Sequence, residues 1–255
     1  MQSIDFSGQV VIVTGGTKGI GRTIVERFLE LGADVATCGR NEPEALPTVD
    51  GRTAMFQTCD VRDPEQVQGF VDAVVERFGR LDVLVNNAGG SPHVNAAEAS
   101  PRFSESIIKL NLLAPLYFAT AANAVMQQRG GGVIVNVASV SGVRPSPGTA
   151  AYGAAKAGLL SLTTSLAVEW APKVRVNAVT CGLIETEQAE LHYGDAAGVA
   201  RVAATVPLGR MGTPTDVANA CAVLASPLTA YSSGAQLLVH GGGEMPAFLG
   251  AADIN

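Results

Sequence analysis

The chain has 255 residues, 47% of them apolar and 16% charged, with a net charge of −6 at neutral pH. That length and apolar content suit one large α/β core and exclude an intrinsically disordered chain, while the negative balance, without a basic run of five residues, argues against a nucleic-acid partner. No apolar run approaches the roughly 20 residues of a membrane helix, Met1–Phe6 lacks the basic-then-apolar order of a secretion signal, and the scattered Cys38, Cys59, Cys181, Cys221, His93, His192 and His240 offer no metal spacing, so the expectation is a cytoplasmic protein with reduced thiols, no metal and no membrane contact.

The elements follow one another in a regular alternation. Val10-Val11-Ile12-Val13, set between Gly8 and Thr14-Gly15-Gly16, is a short β-branched run and predicts a buried strand. Ile20, Ile24, Phe28 and Leu31 recur at three- and four-residue steps and predict a helix over 19–31, closed by Gly32. Strands are predicted over 34–38 and 53–58, then a helix opened by Asp63-Pro64 and running to Phe78. A fourth strand over 81–85, a long helix over 103–129, a strand over 133–137, a helix over 150–171 and a strand over 174–179 continue the pattern. Helices near 186–204 and 214–225 and a last strand over 236–239 complete it. This alternation predicts an α/β fold: a doubly wound (Rossmann) parallel sheet of about seven strands with helices on both faces, in a single domain spanning 1–255.

Thr14-Gly15-Gly16-Thr17-Lys18-Gly19-Ile20-Gly21 lies between the first strand and the first helix. Glycines there let backbone approach a pyrophosphate, and the helix N-terminus offers it unpaired N–H groups. The spacing is G-x-x-x-G-x-G rather than G-x-G-x-x-G. Tyr152 and Lys156 stand four apart on a predicted helix, hence on one face. A lysine cation beside a phenol favours phenolate, so the expectation is a lowered tyrosine pKa suited to acid/base work. The neighbours Gly148, Ala150, Ala151, Gly153, Ala154, Ala155, Ala157 and Gly158 are all small, leaving room for a ligand. Ser139 and Ser141 both follow the fifth strand, where ligands sit in open parallel sheets. Asn111 lies four residues before Pro115, whose missing N–H deprives the Asn111 carbonyl of its helical partner.

These features together resemble the short-chain dehydrogenase/reductase family, in its single-domain Y-x-x-x-K branch and nearest its 3-oxoacyl reductase-like members. The glycine spacing, Asn86-Asn87-Ala88-Gly89, Ser139, Tyr152-x-x-x-Lys156, Pro207-Leu208-Gly209-Arg210 and the Gly241-Gly242 ending carry the resemblance along nearly the whole chain. It implies a catalytic group of Asn111, Ser139, Tyr152 and Lys156, with Ser139 preferred to Ser141 for its distance from Tyr152. It implies that Asn111 holds a water in a proton relay and that Lys156 also binds the nicotinamide ribose. The implied cofactor contacts are Gly15, Thr17, Lys18, Gly19, Ile20, Gly21, Arg40, Asp60, Val61, Asn87, Ala88, Gly89, Ile184 and Thr186, besides Tyr152 and Lys156. One departure is Cys181-Gly182 where the family has Pro-Gly.

Cofactor choice is read after the second strand, where an acidic residue serves the ribose of NAD and an arginine the 2′-phosphate of NADP. Here that acidic position is Gly39, followed by Arg40, with Lys18 in the glycine turn; NADP(H) is expected over NAD(H). The implied reaction is hydride transfer between the cofactor and a secondary alcohol or ketone, with a 3-oxoacyl thioester or a cyclic, steroid-like ketone as candidate substrates. The substrate segment, about 184–205, holds Glu185, Glu187, Glu190, His192, Tyr193 and Asp195 and no basic cluster, which weighs against an acyl-carrier substrate; Arg129 keeps that option open. The alternatives are an NAD-linked alcohol, polyol or sugar dehydrogenase and, in another class, a non-catalytic nucleotide-binding redox sensor. The longer epimerase and dehydratase branch carries an extra substrate domain, and since this chain stops soon after its last predicted strand that branch is not expected. The resemblance also implies a homotetramer or homodimer acting on a small-molecule carbonyl or alcohol.

Overall fold

The computed structural model describes residues 4–187 and 193–251; Met1–Ser3, and Glu190 and His192 of the expected substrate segment, lie outside the described residues. The expected doubly wound parallel sheet is present. Its strands are β1 (Val10–Thr14), β2 (Asp34–Gly39), β3 (Met55–Thr58), β4 (Val83–Asn86), β5 (Gly132–Ser139), β6 (Val174–Cys181) and β7 (Gln236–Val239). They lie side by side in the order β3-β2-β1-β4-β5-β6-β7, each pair parallel. The helices are α1 (Gly19–Glu30), α2 (Pro64–Phe78), α3 (Pro101–Ile108), α4 (Ala114–Arg129), α5 (Ala150–Glu169), α6 (Ala196–Ala203), α7 (Pro214–Ala225) and α8 (Ala247–Ala251).

Strand residues alternate between two cores. Val11, Val13, Val35, Val85, Val135 and Val179 meet α1 and α7 on one face, where the Phe6 and Phe28 rings pack edge to face at 4.9 Å. Val10, Ile12, Ala36, Leu84, Ile134 and Val176 meet α2, α4 and α5 on the other, around Phe70 and Phe118. A strand covered on both faces has no polar side, which is why the β1 sequence runs apolar without alternating. Successive strands are added outward from β1 in one direction and from β4 in the other, and these two are hydrogen-bonded to each other. Open parallel sheets bind ligands at that switch point, beyond the strands' C-terminal ends. Among the described residues no helix is long and apolar enough to cross a membrane.

The structure departs from the sequence expectations in three places. Residues 53–54 precede β3 because Thr48–Val49 and Arg52–Thr53 pair as a small antiparallel hairpin. It turns on Asp50-Gly51, with φ of +49° and +77°, the left-handed pair that two-residue hairpins favour. The helix predicted over 103–129 is divided: between α3 and α4 lies a π-helical turn, Lys109–Leu113, in which the Ala114 N–H reaches back to the Lys109 carbonyl. Pro115 has no N–H to give Asn111 at four-residue spacing or Leu110 at five, so the ladder changes spacing there. In the stretch predicted helical near 186–204, the described residues are helical at Tyr193 and over α6, with a break between them. Gly194 at φ +83° breaks the chain direction, and the Asp195 carboxylate caps α6 by accepting from the Gly198 N–H at 2.9 Å.

Candidate active site

The turn from β1 into α1 is shaped for close backbone approach. Gly15 has φ +66° and Gly19 φ +53°, conformations that side chains resist. A Cβ at Gly21 would lie 2.3 Å from the Gly15 carbonyl oxygen and 2.4 Å from Asn87 Nδ2; one at Gly16 would strike Thr37 Oγ1 at 2.5 Å. Thr37 fixes the turn from β2, accepting from the Gly16 N–H at 2.8 Å and donating to the Val13 carbonyl at 2.7 Å. Lys18, extended and exposed, stands at the α1 N-cap without capping it. The result is a groove of bare backbone ending on uncapped N–H groups, and that cradle fits a pyrophosphate.

The opposite wall is the segment after β4, bound to the same turn through Thr14. The Thr14 hydroxyl accepts from the N–H groups of Asn87 at 3.0 Å and Ala88 at 2.9 Å, and Asn87 Nδ2 donates to the Thr14 carbonyl at 2.9 Å. Asn111, fully buried in the π turn, braces Gly90 just beyond them. Its Nδ2 donates to the Gly90 and Ile107 carbonyls at 2.9 and 3.0 Å, and its Oδ1 accepts from the Gly90 N–H at 2.9 Å. The side chain is thus fully used in bracing. Below it runs a buried polar chain of which the quoted motifs contain only Asn86: its Nδ2 donates to the Pro115 carbonyl and to Asn136 Oδ1, and Asn136 donates to Thr163. Two asparagines inside apolar strands are the one signal for it, because a buried amide needs partners.

The third wall joins the end of β5 to the start of α5. A Cβ at Gly142 would lie 2.8 Å from the Ala157 nitrogen, and one at Gly153 2.8 Å from the Ser141 carbonyl oxygen. These two glycines let the turn Val140–Gly142 press onto α5. Ser139 is thereby brought beside Tyr152, close enough to favour its ionised form, while Ser141 contributes its N–H to Ser139 Oγ at 3.2 Å. Lys156 is buried, with Nζ donating to the Val137 carbonyl at 2.8 Å and lying 5.6 Å from the centre of the Tyr152 ring. A Cβ on Gly89 would lie 2.7 Å from Asn111 Oδ1 and 3.4 Å from Lys156 Nζ, so Gly89, Asn111 and Lys156 share one corner.

Burial governs the electrostatics of this wall. It pushes the Tyr152 phenol up to about 12, against the opposing pull of the nearby Ser139 side chain, and Lys156 down to about 8. This corrects the expectation of a tyrosine lowered by its lysine. Both charged forms lose solvent on burial, and neither shift carries a contribution from the other group. Cys181 ends β6 in register with Ser139 and Val239, a pairing that a proline, without an N–H, would not complete. Burial pushes its thiol up to about 12.

At the far end of the crevice Gly39 ends β2 and Arg40 follows it, exposed. A Cβ on Gly39 would lie 4.0 Å from Thr17 Oγ1, so this corner borders the glycine turn. Asp60 is held by Arg62, whose Nε and Nη2 donate at 2.9 and 2.6 Å; this pairing, with Arg40 adding to it, brings the carboxyl down to about 2. Only its two-residue spacing from Asp60 marks Arg62 in the sequence. Val61, beside it, is buried. Ile184 is pinned to Gly212: the Gly212 N–H donates to the Leu183 carbonyl at 2.9 Å and the Glu185 N–H to the Gly212 carbonyl at 2.8 Å. Thr186 follows, partly buried.

A backbone cradle at the switch point, beside a hydroxyl pair and a buried lysine, defines the class: an oxidoreductase that works with a nicotinamide cofactor. Comparison with known proteins agrees. The family described as enoyl-(acyl carrier protein) reductase matches residues 15–244. The chain is 35% identical to the 3alpha-hydroxysteroid dehydrogenase of Mediterraneibacter gnavus, covering 91% of this chain and 96% of that one. It is 37% identical to the 3-oxoacyl-[acyl-carrier-protein] reductase FabG of Chlamydia pneumoniae, over 94% and 98%. The ligand-free aldohexose dehydrogenase of Thermoplasma acidophilum superposes with a TM-score of 0.88 at 32% identity, covering 100% of this chain and 99% of that one. The chain belongs to the short-chain dehydrogenase/reductase family.

Proposed function

We propose that the protein transfers a hydride between NADP(H) and a secondary alcohol or ketone, with Tyr152 as the acid/base. The observation that carries this reading is Tyr152 placed beside Ser139, with the Nζ of the buried Lys156 5.6 Å from its ring. Held in the crevice by Gly15, Thr17, Lys18, Gly19, Ile20 and Gly21 on one side and Asn87, Ala88, Gly89, Ile184 and Thr186 on the other, the cofactor supplies the hydride. Tyr152, a phenol up to about pH 12, is protonated at neutral pH and gives its proton to the substrate oxygen. Ser139 donates to the same oxygen as negative charge grows on it. Lys156 steadies the phenolate left behind. The Asn111 carbonyl, deprived of the Pro115 N–H, holds the water that returns the proton. Arg40 and Lys18 receive the 2′-phosphate, and Asp60 and Val61 flank the adenine.

The relatives' names span steroids, acyl carriers and sugars. The acidic substrate segment, without a basic cluster, favours a neutral cyclic or steroid-like ketone over a phosphorylated acyl carrier. Likeness to an aldohexose dehydrogenase along the full chain supports a second reading, an NAD-linked sugar or polyol dehydrogenase. A screen of steroid ketones, 3-oxoacyl thioesters and aldohexoses, each with NADPH or NADH and followed by nicotinamide absorbance, separates them: NADPH-dependent loss of a ketone is expected, and turnover confined to NAD with a sugar refutes the first reading. We propose further that the protein is a cytoplasmic homotetramer. The outer face of α5 supports this, with Ala154, Ala157, Ser161 and Thr164 exposed and Val168 80% exposed, a large uncharged patch. Light scattering at the monomer mass would refute it.

A further inference from the structure

Glu187 follows the segment pinned to Gly212, and its carboxylate faces the first turn of α1. The Cβ position of Gly19 lies 3.6 Å from its Oε1 and 3.8 Å from its Oε2. That turn contains no acidic residue, and no side chain caps it, so its N–H groups and the positive end of the helix dipole have no anion of their own. Gly19 belongs to the cradle fitted for a pyrophosphate. A carboxylate brought there from the substrate side of the crevice therefore stands where a second negative group has to enter.

We infer that Glu187 is an internal competitor for the dinucleotide pyrophosphate, so that cofactor binding displaces its carboxylate from the α1 N-terminus and the affinity of the site is set partly by that displacement. The inference rests on the dinucleotide lying in this crevice. Two like charges a few ångströms apart at a protein surface repel appreciably and are screened by salt. The carboxylate can also swing aside, so the effect stays below the full Coulomb value.

The test measures NADPH binding directly, by fluorescence or calorimetry, to the wild-type chain, to Glu187→Gln and to Glu76→Gln. Glu76 is exposed in the last turn of α2, and its variant makes the same change in net charge. Glu187→Gln is expected to bind NADPH about three- to tenfold more tightly, with the gain shrinking as salt rises from about 50 to about 500 mM. 2′-Phospho-ADP-ribose, which carries the pyrophosphate without the nicotinamide, is expected to show the same gain, and Glu76→Gln none. Equal or weaker binding by Glu187→Gln, or a gain indifferent to salt, overturns the inference and leaves the cofactor reading standing. Failure of all three proteins to bind NADPH overturns that reading as well.

Discussion

The two sides of the crevice are made of different material. Beside β1 the wall is backbone: glycines in left-handed conformations, carbonyls and N–H groups, fastened by Thr14 and Thr37. Beside β5 it is side chains, with Ser139, Tyr152 and Lys156 brought together by Gly142 and Gly153 and supported from below by asparagines. The first wall shapes space and offers partial charges that do not titrate. The second desolvates groups that do. Binding is therefore vulnerable to an added methyl group on one side, and chemistry to a lost functional group on the other.

The sharpest break of this contrast is Lys156→Met. Its turnover is expected to fall about 10²–10⁴-fold in steady-state assays. Its stability is expected to move the other way. A lysine held near 8 rather than 10.5 is destabilising wherever the unfolded chain keeps the proton and the folded one resists it. That penalty is full below pH 8 and vanishes above 10.5, so wild-type stability gains about 3 kcal/mol from this group across that window. The difference between wild type and Lys156→Met in denaturant melts should narrow over the same window; a constant difference would contradict the assignment of burial as cause. Gly21→Ala probes the other wall. Its Cβ would meet the Gly15 carbonyl oxygen at 2.3 Å, and an overlap with backbone costs about 1–3 kcal/mol, read as a lower melting midpoint together with weaker cofactor binding. Arg40→Ala should be milder still, weakening NADPH about tenfold, near 1.4 kcal/mol, and leaving NADH unchanged in parallel titrations.

Legibility in the sequence follows the same division. The β1 wall is readable because glycine spacing is a direct record of backbone conformation. The strands are readable because burial on both faces demands unbroken apolar runs. The β5 wall is readable only in the groups proposed to react: the Tyr152-x-x-x-Lys156 spacing places them on one face, and nothing in it reports that burial raises Tyr152. Desolvation depends on what packs around a group, and packing is set by distant segments. The π turn around Asn111 was signalled only by Pro115, since a proline marks a missing donor without saying how the ladder adjusts. The Asp50-Gly51 hairpin carried a local turn signal inside a segment otherwise read as loop and strand. Arg62 belongs to no pattern, and Glu187 stood out only as one charge of an acidic segment; what each faces is set by where the chain brings it.

The central claim is that Tyr152 performs the proton transfer while the backbone wall holds the cofactor without its help. The most direct measurement is NADPH-dependent ketone reduction by Tyr152→Phe alongside NADPH titration of the same protein. The account predicts turnover lower by about a thousandfold with NADPH affinity within about twofold of wild type, near 0.4 kcal/mol. Retained turnover, or turnover lost only in step with cofactor binding, would contradict it.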